Sequence, residues 1–194
     1  KLKYLKYFSR KIFKYSISLI FRKKEKNKMA EKDQIFAEKM KYTGIWNFGE
    51  VYRFLYDWFT DKDYKVVEKS YTEKIKPDGK EIEIKWEAKR KISDYFRFVI
   101  KANWLILGMN EIEVQKEGAK VKMNKGYIEI KFTAVLEKDY EHRWENNAFI
   151  KFLRGVYDRY IIKGRIDDYE DRLLEEVDEV IAQAKAFLTI SGKK

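Results

Sequence analysis

The stretch from Asp94 to Leu107, DYFRFVIKANWLIL, most narrows what this chain can fold into. Phe96, Phe98, Ile100 and Ala102 share one parity while Arg97, Lys101 and Asn103 share the other, the period-two pattern of a strand buried on one face. Trp104 and Ile106 continue the apolar row. A strand this long and this one-sided needs strands to pair with and a second layer to cover its apolar face.

The rest of the sequence supplies both. Met40, Tyr42, Gly44 and Trp46 alternate with Lys39, Lys41 and Thr43, which predicts a first strand over about Phe36 to Trp46. The period then changes: Val51, Phe54, Leu55, Trp58 and Phe59 form one helical stripe, with Asn47 placed as its cap and Glu50 three residues on. A strand from about Tyr64 to Ile75 leads through Pro77-Asp78-Gly79, a tight-turn sequence, into Ile82, Ile84, Trp86 and Ala88, which alternate with charged residues. Beyond the opening stretch, Gly108 to Asn110 reads as a break before a short strand carrying Ile112 and Val114. Glu117-Gly118 reads as a turn, and Val121 and Met123 as another strand. Asn124 to Gly126 reads as a turn or bulge before Ile128, Ile130, Phe132, Ala134 and Leu136. After Asp139 the helical period returns, first in Phe149, Phe152, Leu153, Val156, Tyr157 and Tyr160, ending near Gly164. It returns again in Leu173, Val177, Val180, Ile181, Ala184 and Leu188, a helix with Asp167 as its cap.

The expected fold is therefore α+β: an antiparallel sheet of about six to seven strands, one helix after the first strand, and two C-terminal helices packed on one face. Residues 29–194 read as a single domain, since 194 residues hold one core comfortably and neither a repeat nor a linker divides them. The element order over about residues 36 to 190 is similar to that of the helix-grip fold, in which a curved antiparallel sheet wraps a long C-terminal helix and can leave a cavity between them. The resemblance is one of order alone, without a shared motif. It departs in having one helix where that fold has two after the first strand, and two helices after the last strand.

Charge bears on partners. The formal net charge is +11, yet residues 1–28 carry eleven Lys or Arg and one Glu, so residues 29–194 are nearly neutral at +1. Nucleic acid is accordingly not the expected partner of residues 29–194. Residues 1–28, KLKYLKYFSRKIFKYSISLIFRKKEKNK, admit three readings. They can be a basic amphipathic helix at a membrane surface with Leu5, Phe8, Ile12 and Phe13 on one side, a basic arm for nucleic acid, or translated upstream sequence ahead of a true start at Met29. The chain has no cysteine, which removes disulfides and thiolate chemistry, and a cytoplasmic location is expected, peripheral to a membrane if residues 1–28 belong to the protein.

No residue cluster has the spacing of a known chemistry, and the glycine patterns of phosphate loops and dinucleotide sites are absent. His142 is the only histidine; with Asp139, Glu141 and Glu145 it invites a metal or acid/base reading, against which stands the plain one of exposed residues at a helix start. The run from Arg154 to Arg165 mixes Arg with Tyr as a phosphate site would, and Gly155 inside a helix suggests close packing. The inward aromatics Trp86, Phe96, Phe98, Trp104 and Phe132 are either packed core or the lining of a site for an apolar ligand.

Two functions follow as expectations, neither of them enzymatic and neither requiring a metal or cofactor. One is a binding module that holds a small apolar or amphipathic ligand on Trp86, Phe96, Phe98, Trp104 and Phe132, between the sheet and the C-terminal helices. The other is a scaffold or adaptor for another protein, with Tyr71, Tyr95 and Val99 as apolar residues on otherwise charged faces.

Overall fold

The computed structural model describes residues 31–116, 119–141 and 148–193. Residues 1–28, the Glu117-Gly118 turn, His142 and Glu145 lie outside the described residues, and so does the side chain of Phe149. Among the described residues the chain runs β1 (Glu31–Trp46), α1 (Phe48–Asp61), β2 (Lys65–Lys76), β3 (Gly79–Lys91), β4 (Phe96–Lys116), β5 (Ala119–Lys138), α2 (Ala148–Tyr160) and α3 (Lys163–Lys193). The fold is α+β with one antiparallel sheet in the order β1-β5-β4-β3-β2.

The sheet has five strands where six to seven were expected, because Gly108 to Asn110, read as a break, is a bulge inside one long hairpin, and Asn124 to Gly126 continues β5 as the bulge alternative has it rather than as a turn. Pairing of β4 with β5 continues past Gly108, with a register shift between Leu107 and Asn110. Gly108 takes φ 59°, which glycine adopts freely. Across from it, Gly126 has no side chain, and a Cβ there would lie 3.0–3.1 Å from Leu107 O, Gly108 O and Met109 Cα. Gly108, which looks like a terminator on its own, thus meets Gly126 at one bend. Ile112, Val114, Val121 and Met123 belong to the far end of the same two strands.

Alternation sets the faces as the sequence implies. Ile82, Ile84, Trp86 and Ala88 of β3 sit opposite Ile106, Trp104, Ala102 and Ile100 of β4. Those in turn face Ile128, Ile130, Phe132 and Ala134 of β5, and all are buried. α1 and α3 cover this face. The Asn47 side chain accepts a hydrogen bond from Glu50 N at 3.2 Å, and the α1 stripe buries Val51, Leu55, Trp58 and Phe59. Its Phe54 stacks on Phe187 of α3, ring centroids 4.6 Å apart. The α3 stripe from Leu173 to Leu188 is buried as expected, although the helix begins at Lys163 rather than near Asp167. The earlier start follows from Ile162 and Ile166, both buried, which draw the first turn onto the body. β2 is an edge strand exposed along most of its length, and its alternating Lys and Glu guard the open edge.

Candidate interaction surface

The five inward aromatics lie together in the layer between sheet and helices, none more than 4% exposed. Trp86 and Trp104 are in edge contact at 5.0 Å, and Tyr52 of α1 reaches both, at 4.7 and 6.0 Å. Phe96 and Phe98 meet Tyr169 of α3 at 5.0 and 6.1 Å, and Phe132 lies opposite Ala102. Phe96 also borders a pocket of about 240 Å³ at the end of the sheet, shared with Ser93, Tyr157, Ile162, Arg165 and Tyr169.

On the same inward row stands a charged group that the sequence reading passed over. Arg90 follows Trp86 and Ala88 in parity, and its Nη2 donates to both carboxylate oxygens of Glu176 on α3 at 2.6 and 2.8 Å. Its Nη1 donates to Lys62 O at 2.8 Å, and its guanidinium lies 4.5 Å from the Tyr64 ring centre. Tyr64 Oη donates to Glu176 Oε2 at 2.7 Å, and burial, reinforced by the Glu176 charge, pushes the Tyr64 phenol well above its ordinary range. The parity of Arg90 was a signal, but Glu176, 86 residues away, could not be paired with it by spacing. The cluster ties β3, α3 and the α1–β2 connection together.

Other candidates disperse. Asp139 is buried at the end of β5 with φ 48°, its N–H donating to Tyr95 O at 2.8 Å, so it does not belong to a helix start as expected. Glu141 is exposed beside it. Among the described residues no group of three or more His, Cys, Asp or Glu is placed to hold a metal ion. Of the three residues named for a protein contact, Tyr71 is exposed, but Val99 is only 1% exposed and offers no surface. Tyr95 is half-buried, its hydroxyl donating to Asp158 Oδ1 of α2 at 2.7 Å. On the outer face nearby, Arg97 Nε donates to Glu137 Oε2 at 2.7 Å, and Lys32 stands 2.9 Å from Oε1. Burial raises the Glu137 carboxyl, but the Lys32 and Arg97 hydrogen bonds outweigh it and hold the group below its ordinary range.

The exposed apolar groups concentrate instead on α2. Tyr157 and Asp158 turn toward the body, Asp158 through Tyr95, while Phe152, Leu153, Val156 and Tyr160 lie on the other side, between 37% and 75% exposed. Ile161 in the following turn is 69% exposed. Phe152, Leu153, Val156 and Tyr160 of the stripe that the sequence marks as core-facing thus face outward, while its Tyr157 and the polar Asp158 carry the attachment. Sequence periodicity finds such a stripe without saying which way it points. Shallow grooves flank Gly155, one bordered by Phe152, Val156, Arg159 and Tyr160, the other by Lys138, Asp158, Lys163 and Ile166.

Close packing at Gly155, expected from its place in a helix, is not found: a Cβ there would meet nothing within 4 Å. Gly155→Ala should therefore raise stability by about 0.5–1 kcal/mol through backbone entropy alone, checked by urea denaturation. Gly126→Ala, pressed against β4 backbone, should lower it in the same assay.

No family model matches this sequence, and neither a curated protein nor a solved structure shows significant similarity to it. Among the described residues no helix is long and apolar enough to cross a membrane.

Proposed function

We propose that residues 29–194 form a non-enzymatic interaction module, a scaffold or adaptor that works from its surface through α2 rather than by enclosing a ligand. The observation that carries this is the outward apolar face of Phe152, Leu153, Val156 and Tyr160, continued by Ile161. Such contiguous exposed groups are costly to leave in water and usually mark a contact. The ligand-holding reading has less behind it, since Trp86 and Trp104 pack on each other and on Tyr52, Phe98 packs on Tyr169, and Phe132 is fully buried. The pocket beside Phe96, at about 240 Å³, falls short of the roughly 300–1,000 Å³ usual for small-molecule sites.

In architecture the module is helix-grip-like. Support comes from the strand order, which sets β1 beside β5, and from the long α3 lying across those two strands.

A photo-crosslinking residue in place of Val156, introduced in living cells, tests the docking role. Adducts to another component are expected from position 156 and not from Gln183, an exposed position on α3. Equal adduct yields at the two positions, or none at 156, would sink the proposal.

A further inference from the structure

Two features of α2 narrow what it docks against, given that the interaction-module reading holds. The first is the outward apolar face itself, rich in aromatic and branched groups. The second is charge: residues 148–166 carry five bases, Lys151, Arg154, Arg159, Lys163 and Arg165, against one acid, Asp158, which is turned inward to Tyr95. The next stretch, residues 167–179, reverses this with eight acids and one base. The net of +4 is therefore local to α2, its turn and the first turn of α3, in a domain that is otherwise slightly negative.

A basic helix with an aromatic and aliphatic face suits an anionic lipid surface, where shallow apolar burial and attraction to headgroups add. A second copy of this chain suits it poorly, since an isologous contact would bring two like-charged segments together. Residues 1–28 repeat the same chemistry, lysines among Tyr, Phe, Ile and Leu, so two segments of one chain favour the same occupant. We infer that α2 seats its Phe152, Val156 and Tyr160 face in the headgroup layer of an anionic membrane, with Arg159 and Lys163 beside the lipid phosphates. The acidic stretch that follows in α3, residues 167–179, is repelled by that surface and sets the domain's tilt on it.

The full chain contains no cysteine, so Val156→Cys accepts one environment-sensitive dye at a defined place. With vesicles of phosphatidylcholine and phosphatidylserine in equal parts, dye emission at position 156 should shift to the blue. A dye on Gln183→Cys should not shift, and pure phosphatidylcholine should leave both unchanged. This readout separates seating of α2 from mere tethering through residues 1–28. Phe152→Ser and Val156→Ser, both on an exposed face and so harmless to folding, should each weaken vesicle partitioning of the full chain about tenfold. Added salt should weaken it too, as screening sets in over about 10 Å at 0.1 M.

Vesicle binding without a shift at position 156 would overturn the inference and leave residues 1–28 as the lipid contact. A shift only as protein concentration rises would overturn it in favour of a second copy. A shift only in host extract freed of lipid would overturn it in favour of a protein partner, with the interaction module intact. Blue-shifted emission in dilute protein alone would mean that the chain covers α2 itself, and both readings would fall.

Discussion

Trp86→Ala and Trp104→Ala are each expected to lower the free energy of unfolding by about 3–5 kcal/mol, measured as a shift of the urea midpoint at unchanged slope. Both side chains are 2% exposed, meet at 5.0 Å, and are wedged under Tyr52, so truncation leaves a hole that rigid strands on either side cannot close. Against a total of roughly 5–15 kcal/mol for a domain of this size, either change approaches the limit of folding. The two changes should not add, because each removes part of the other's surroundings. The milder pair, Trp86→Phe and Trp104→Phe, separates packing from hydrogen bonding. Trp86 Nε1 donates to Glu68 Oε2 at 3.3 Å whereas Trp104 Nε1 has no partner, so the Trp86 change should cost more. The alanine variants also bear on the two functional readings. Side chains that line an empty ligand site would lose little stability on truncation; losses below about 1 kcal/mol would restore the ligand-holding reading.

What could be read from the sequence divides along physical lines. The inward rows were legible because a strand's two faces follow from period two, whatever the partner strand is, and the α1 cap was legible because Asn47 and Glu50 interact within one turn. Strand number was not. Gly108 looks like a stop in one dimension, and only its apposition to Gly126 across the hairpin makes it a bend. The orientation of α2 was hidden for a related reason: a stripe of Phe152, Val156 and Tyr160 reports amphipathicity, while the direction it faces depends on Tyr95 and Asp158 joining from distant parts of the chain. The aromatic row is buried on the inward face as its parity implies, but the rings that Trp86, Trp104, Phe96 and Phe98 meet on the helices, Tyr52 and Tyr169, do not stand out in their own helical stripes.

The second large effect is expected at Arg90 and Glu176, where side chains only 12% and 11% exposed form the pair that crosses from sheet to helix. Glu176→Leu leaves Arg90 buried among Tyr64 and Phe98 with one remaining acceptor, Lys62 O, and should cost about 3–5 kcal/mol. Arg90→Met leaves the Glu176 carboxylate with Tyr64 and with Arg172, whose Nε stands 3.6 Å away, and should cost somewhat less. The double variant Arg90→Met/Glu176→Leu removes both desolvation penalties at once. It should fall well short of the sum of the single losses, with a coupling of about 0.5–3 kcal/mol in a double-mutant cycle. Tyr64 reports on the same geometry, since its hydroxyl donates to Glu176 and Tyr64→Phe should cost about 1.5–3 kcal/mol in the native background. In the Glu176→Leu background that cost should shrink, because the carboxylate that accepts the hydrogen bond is gone. Independent, additive losses across all three positions would show that the cluster does not act as a unit. In that case each buried group would add its own contribution beside the apolar stripe from Leu173 to Leu188.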